Sequence, residues 1–154
     1  MARRRLPDRK GNEVRGTGEQ TVLIVRLALG GVFLYAGAAK IGNLTAFAGD
    51  IAAYRLLPHF ANYLAAALLP WLEALCGLLL VIGWRVRGAL AIITLLTAVF
   101  MAALASVLVR GLDIDCGCFR HGGAKTPAWL ALGRDSLLLF AAVALLRTTG
   151  ERKQ

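Results

Sequence analysis

Two cysteines lie close together in a short polar segment between long apolar stretches. Cys116 and Cys118 flank Gly117 within DIDCGCFRHGG, residues 113–123. Because α-carbons two positions apart can come within the ~4.4–6.8 Å span of a disulfide, the pair can close a small ring, and glycine supplies the backbone freedom that the ring needs. A strained disulfide is easier to reduce than a relaxed one. The pair is therefore a candidate for thiol–disulfide exchange, with inert or structural cysteines as the alternative.

The same segment also allows a metal site. Cys116 and Cys118, with His121 and Asp115, could bind zinc or cuprous ion, since thiolates select these metals. Zinc sites, however, usually separate their cysteines by two to four residues and use four ligands. Metal handling fits this spacing less well than redox chemistry does, and we predict no resident metal.

The elements that position the cysteine pair are four apolar blocks. The chain has 154 residues, of which 58% are hydrophobic and only 18% are charged. Residues 21–41, 61–82, 88–109 and 128–146 each approach the ~20 residues that a helix needs to cross a ~30 Å hydrocarbon core. The alternation typical of a β-barrel is absent. We predict an all-α membrane protein, a four-transmembrane-helix bundle over residues 21–147, with a disordered basic tail at 1–20 and a short tail at 148–154.

The distribution of basic residues predicts the orientation in the membrane. With the N-terminus inside, the inner segments hold the larger set: Arg3, Arg4, Arg5, Arg9, Lys10, Arg15, Arg85, Arg87, Arg147, Arg152 and Lys153. The outer set is Lys40, Arg55, Arg110, Arg120 and Lys125. The positive-inside rule then places both termini in the cytoplasm and the Cys-Gly-Cys segment outside, in a cytoplasmic (inner) membrane. This bias accounts for the net charge of +9 without a nucleic-acid partner.

The first apolar block has features of both a secretory signal and a spanning helix. A basic segment precedes it and small residues end it, as in a signal peptide. Arg26 interrupts its core, however, and the residues Arg26, Gly30, Phe33, Gly37 and Lys40 recur at helical spacing. Small residues on such a stripe let a neighbouring helix approach closely. We therefore predict a true spanning helix.

The first outer loop contains the pattern of a short interfacial helix. Asn43 can cap its start and Pro58 ends it. One apolar face would comprise Leu44, Phe47, Ile51 and Tyr54. We expect this helix to lie on the outer leaflet, beside the cysteine segment.

Ionisable residues inside the predicted spans form a second candidate site. Charged groups in the hydrocarbon core are costly and usually face the bundle interior. Glu73 and Arg134 could form a quinone or proton pocket beneath the cysteine segment. The alternative is a structural ion pair between Glu73 and either Arg134 or Arg26. Cys76 shares a helical face with Glu73 and is expected to be a buried packing residue.

Five segments of the chain occur in an order and spacing typical of a known family. They are RLALGGVFLYAGAAKI at 26–41, YRLLP at 54–58, LPWLEALCGLLLVIGW at 69–84, DCGCF at 115–119 and GRDSLLL at 133–139. Between four spanning helices, these segments resemble the DoxX-like membrane family, and most closely its methylamine-utilisation MauE branch. The resemblance covers nearly the whole span from residue 26 to residue 135.

This resemblance implies a membrane bundle that acts with an extracytoplasmic thioredoxin-like partner. Together they would mature a disulfide-rich dehydrogenase subunit, such as that of methylamine dehydrogenase, through thiol–disulfide chemistry at Cys116 and Cys118. The resemblance also implies a more distant link to quinol-oxidising complexes. The alternative function is therefore a non-catalytic membrane subunit of such a complex, and metal handling is the third.

Overall fold

Five α-helices make up the part of the chain that the structure describes. The computed structural model gives the backbone of residues 9–111 and 128–151, and the side chains of residues 19–111 and 129–149. The helices are α1 (Arg9–Ile41), α2 (Leu44–Ala53), α3 (His59–Ile82), α4 (Val86–Val109) and α5 (Ala128–Glu151). No β-strand occurs within these ranges.

Four of these helices contain a segment long and apolar enough to cross a membrane. The segments are Glu19–Ile41, His59–Ile82, Val86–Val109 and Trp129–Thr149, which match the four predicted blocks to within three residues at each end. Large apolar side chains such as Phe60, Val109 and Phe140 are exposed on the outside of the bundle, where a membrane protein meets lipid. The predicted multi-pass, four-helix membrane bundle is therefore confirmed.

The first and last helices are longer than the sequence predicts. α1 begins at Arg9, within the predicted tail at 1–20. At the other end α5 continues to Glu151, into the predicted tail at 148–154. Helix propagation explains both extensions, since each residue added to an existing helix gains a backbone hydrogen bond without a new nucleus.

α1 and α3 pack against each other through small residues. A Cβ atom added to Gly37 would lie 2.6 Å from the carbonyl oxygen of Pro70 and 2.6 Å from the backbone nitrogen of Ala74. One added to Gly77 would lie 2.5 Å from the backbone nitrogen of Leu34. Since no side chain fits at such distances, the two helices meet backbone to backbone. The predicted role of the small-residue stripe on the first helix is confirmed.

The predicted short helix in the first outer loop is also confirmed as α2. Asn43 caps it, because its Oδ1 accepts a hydrogen bond from the Ala46 N–H at 3.4 Å. Its apolar face turns inward, where Phe47 and Ala48 pack against Ala66 of α3. α2 therefore covers the first turns of α3, which is a closer association with the bundle than an interfacial helix on the leaflet would have.

A buried apolar cluster joins the end of α2 to α4 and α5. The cluster consists of Tyr54, Leu104, Val107 and Ala131. Arg110, which follows α4, donates a hydrogen bond from Nη1 to the carbonyl oxygen of Tyr54 at 3.0 Å. The end of α4 and the start of α5, which flank the cysteine segment in the sequence, are thus both anchored near the end of α2.

Candidate functional site

Lys40 and Glu73 form a buried ion pair between α1 and α3. The Lys40 ammonium donates to both carboxylate oxygens of Glu73, with distances of 2.6 Å from Nζ to Oε2 and 2.9 Å from Nζ to Oε1. Lys40 is only 7% exposed, and its Nζ lies over the ring of Phe47, 5.1 Å from the centroid. The carboxylate and the aromatic face together offset the cost of burying the ammonium group.

This pairing corrects the ion pair that the sequence predicts for Glu73. The sequence favours Arg134 or Arg26 as the partner and counts Lys40 among the residues of the outer loop, whereas the structure joins Glu73 to Lys40. Lys40 lies one residue before the end of α1, but Glu73 lies 14 residues into α3, about 21 Å from its start. α1 therefore ends well inside the bundle, and α2 covers the part of α3 that extends beyond it.

Sequence reasoning missed Lys40 because a basic residue at the end of an apolar block is normally an interfacial anchor. The signal that could have identified it is its position in the stripe with Gly30 and Gly37. That stripe contacts α3. A lysine that continues a small-residue face lies against the neighbouring helix, and there it needs an anion.

Arg26, the other predicted partner, lies at the opposite end of α3. Its Nη1 lies 3.1 Å from the position that a Cβ atom on Gly83 would take, and Gly83 caps the C-terminus of α3 with φ 85°. Gly83 is ten residues beyond Glu73, about 15 Å along the helix axis. A guanidinium group is favourable at this place because a helix C-terminus carries partial negative charge.

A second ion pair lies on α5. Arg134 contacts Oδ1 of Asp135 with Nε at 3.0 Å and with Nη2 at 2.9 Å. Asp135 is buried, and its other oxygen, Oδ2, has no hydrogen-bond partner among the side chains and backbone that the structure describes. A buried oxygen without a donor is costly, so a water molecule is the simplest partner for it.

A small cavity brings the two ion pairs together. It has a volume of about 50 Å³ and is lined by Lys40, Glu73, Thr97, Arg134 and Asp135 among others. Apolar side chains such as Phe33 and Leu138 complete the lining. A cavity of this size with charged groups in its wall has room for a few water molecules. Glu73 and Arg134, the two residues predicted to share a pocket, thus line the same cavity, although each forms its ion pair with another residue.

A larger and mainly apolar cavity adjoins the small one. It has a volume of about 240 Å³ and lies between α2, α3 and α4, with the Lys40–Glu73 pair in its lining as well. Asp50 is the third charged residue of the lining, and Leu69 and Phe100 belong to the apolar part. The Lys40–Glu73 pair therefore lies in the lining of both cavities, together with Leu96 and Phe100.

The predicted cysteine pair, Cys116 and Cys118, lies outside the described residues, and so does the metal alternative with His121. Within the side chains that are described, no group of three or more His, Cys, Asp or Glu residues could hold a metal ion. Cys76 is 1% exposed and packs in the core with Leu29 and Leu80. It is a free thiol, as expected for a packing residue.

Comparison with known proteins identifies the family. The family model described as "Methylamine utilisation protein MauE" matches residues 19–148, which include the four spans except the last residue of the fourth, and the Cys-Gly-Cys segment. The chain belongs to the MauE family. The resemblance to MauE that the sequence shows is thereby confirmed, whereas the wider DoxX-like placement stays a prediction.

Curated MauE proteins from three bacteria agree with this assignment. The methylamine utilization protein MauE of Paracoccus denitrificans is 35% identical over 127 residues, which are 82% of this chain and 67% of that protein. The MauE of Methylophilus methylotrophus is 41% identical over 126 residues (77% and 66%), and that of Methylorubrum extorquens is 35% identical over 117 residues (74% and 63%). The chain thus spans about two thirds of the length of these relatives. No solved structure matches it.

Proposed function

We propose that this MauE-family protein is an integral membrane thiol–disulfide redox protein that assists disulfide formation in an extracytoplasmic enzyme. By analogy with its relatives, which are methylamine utilization proteins, that enzyme would be a dehydrogenase such as methylamine dehydrogenase. A thioredoxin-like protein would be the redox partner. The observation that carries the proposal is the Cys116-Gly117-Cys118 sequence inside the region that the MauE family model matches.

The proposed orientation places both termini in the cytoplasm and the cysteine pair outside the inner membrane. Disulfides form and persist in such oxidising compartments. The burial of Lys40 supports this orientation, since it removes one basic residue from the predicted outer set. The positive-inside bias is stronger without it.

The proposed reaction is an exchange of disulfides. A thiolate of the reduced partner attacks the Cys116–Cys118 disulfide, and a mixed disulfide forms as the bond between the two cysteines breaks. A second thiolate of the partner then resolves the mixed disulfide. The partner gains the disulfide and loses two electrons and two protons, while Cys116 and Cys118 become a dithiol.

Trapping of the mixed disulfide tests this proposal. In the reverse direction of the exchange, the cysteine that remains in Cys116→Ser or Cys118→Ser attacks the disulfide of the oxidised partner, and the second cysteine that would resolve the mixed disulfide is missing. One of the two variants should therefore accumulate a reducible cross-link to a thioredoxin-like protein, seen on non-reducing gels. Cys76→Ala is the matched control, because that thiol is buried in the core, and it should behave as the unmodified chain.

Two other outcomes would replace the proposal. If neither serine variant traps a partner and the double variant still supports the pathway, the protein is a non-catalytic membrane subunit, in keeping with the DoxX-like link to quinol-oxidising complexes. If the purified chain carries stoichiometric zinc or copper that is lost in the double variant, the segment handles metal.

A further inference from the structure

The proposed exchange needs a second redox carrier to regenerate the Cys116–Cys118 disulfide. The chain has three cysteines, and the third, Cys76, is 1% exposed in the core beside Leu29 and Leu80. A single thiol cannot form an intramolecular disulfide, so it cannot take up the two electrons that the cysteine pair must give away. The acceptor must therefore be a molecule that binds to the protein.

The larger cavity is accessible from the surface that faces lipid. Leu56, Leu57 and Val99 belong to its lining and are exposed on the outside of the bundle, whereas Leu69 and Phe100 are less exposed. An apolar opening at the lipid-facing surface admits molecules dissolved in the bilayer. A volume of about 240 Å³ suits the ring of a lipid-soluble carrier, with its hydrocarbon tail left outside.

Lys40 supplies a donor at the inner end of this cavity. An ammonium group has three N–H donors, and the hydrogen bonds of Lys40 within the described residues go to the two oxygens of Glu73. At most two donors are used in this way, so one is left for an acceptor in the cavity. A carbonyl oxygen fits this place.

The charges of the lining select against an anionic head group. Among the described residues of the lining, Lys40 is the single cation, and its charge is already balanced by Glu73 at 2.6 Å. A phosphate group would therefore lose its hydration without gaining an unpaired cation from these residues. A neutral head group with carbonyl acceptors loses less hydration and still receives a hydrogen bond from Lys40.

We propose that the larger cavity binds an isoprenoid quinone, with one carbonyl oxygen of the ring accepting a hydrogen bond from Lys40. This inference rests on the proposed thiol–disulfide function. The Cys116–Cys118 dithiol forms its S–S bond and releases two electrons and two protons, and the two carbonyl groups of the quinone take them up and become the hydroxyl groups of the quinol.

Photolabelling tests the site directly. The full-length protein in lipid nanodiscs is irradiated with an azido-ubiquinone, with and without excess decylubiquinone, and the labelled peptides are mapped by mass spectrometry. Ala103 lines the cavity, so Ala103→Trp should fill it. The labelling that excess decylubiquinone suppresses should then fall at least tenfold. Ala105 is exposed one half-turn away and outside the lining, so Ala105→Trp should label as the unmodified chain does.

A second pair of variants covers the case in which Ala103→Trp does not fold. Val99 at the cavity mouth is 61% exposed, and Leu95, one turn earlier and outside the lining, is 65% exposed. Val99→Trp should reduce the labelling several-fold and Leu95→Trp should not. Equal labelling of cavity and control variants, labelled peptides away from the cavity, or a copurified phospholipid that decylubiquinone cannot displace would each overturn the proposal.

The variant with both Cys116→Ser and Cys118→Ser separates this inference from the proposed function. It should bind the quinone as the unmodified chain does, because the proposed site consists of Lys40 and apolar residues of α2, α3 and α4, but it should no longer exchange disulfides. Quinone binding without any mixed disulfide in the single-serine variants would reject the thiol–disulfide function alone. A trapped mixed disulfide without quinone binding would reject the quinone site alone.

Discussion

At the scale of single residues, the stability of the buried charges depends on pairing. Lys40 and Glu73 are almost wholly withdrawn from the surface, with side-chain exposures of 8% and 15%. In such a place a charge that loses its partner is far more costly than an apolar side chain of similar size. The two residues should therefore behave as one unit when they are mutated.

Lys40→Met should lower the free energy of unfolding by about 3–5 kcal/mol, because it leaves the Glu73 carboxylate buried and unpaired. The double variant with Glu73→Met should recover most of this loss. Denaturant titration in mild detergent, followed by circular dichroism, measures both effects. Arg87→Met is the control, since Arg87 is an exposed basic residue on α4, and it should change little. Losses that simply add in the double variant would show that the two charges are independent.

The sequence predicts part of this site. The cost of charge in the hydrocarbon core identifies Glu73 and Arg134 as interior residues, and the structure places both on one cavity. The sequence cannot predict the partner of Glu73, because hydropathy gives the length of α1 but not the level at which α1 ends relative to α3. That level is set by contacts such as Gly37 on Pro70, which belong to tertiary structure.

At the scale of helices, the pairing of α1 with α3 sets the position of every charged group in the site. Gly37 lies one turn before Lys40 on α1, and its closest contacts, Pro70 and Ala74, lie on either side of Glu73 on α3. The backbone contact thus fixes the register in which the ammonium and carboxylate groups meet. The helical spacing of the stripe predicts this contact face from the sequence. The sequence also predicts the Asn43 cap of α2, from the residue type that precedes the helix.

Gly37→Ala should destabilise the bundle by about 1–3 kcal/mol, because its Cβ atom would overlap the α3 backbone. Gly31→Ala is a matched control on the same helix, since a Cβ atom there would meet nothing within 4 Å. It should be neutral or slightly stabilising, as alanine favours helix over glycine. Thermal unfolding of the purified variants compares them, and equal midpoints would exclude the close α1–α3 contact.

At the scale of the whole molecule, the four spans and the distribution of charge determine which surfaces face which compartment. The burial of Lys40 leaves Arg55, Arg110, Arg120 and Lys125 as the basic residues of the predicted outer side. The long apolar runs in the sequence predict the number of spans, because a helix that crosses lipid needs such a run. The extension of α1 to Arg9 could not be predicted in this way, since propagation of a helix beyond a span leaves no hydropathy signal.

Cysteine accessibility tests the orientation. In cells with a permeabilised outer envelope, a membrane-impermeant maleimide should label Cys116 and Cys118 after mild reduction. In a background with these two cysteines replaced by serine, Arg85→Cys should be labelled only after the inner membrane is broken, because Arg85 is exposed in the turn between α3 and α4. The opposite pattern would invert the proposed topology.

The ion pair between α1 and α3 also has a consequence for the insertion of the newly made chain into the membrane. Its two members are 33 residues apart, so α1 leaves the ribosome before the glutamate that neutralises its lysine. A charge at the centre of a helix opposes insertion by about 2.5–3.5 kcal/mol, and Glu73 lies near the middle of α3. We therefore expect α3 to insert beside α1, so that the Glu73 carboxylate enters the lipid already paired with Lys40.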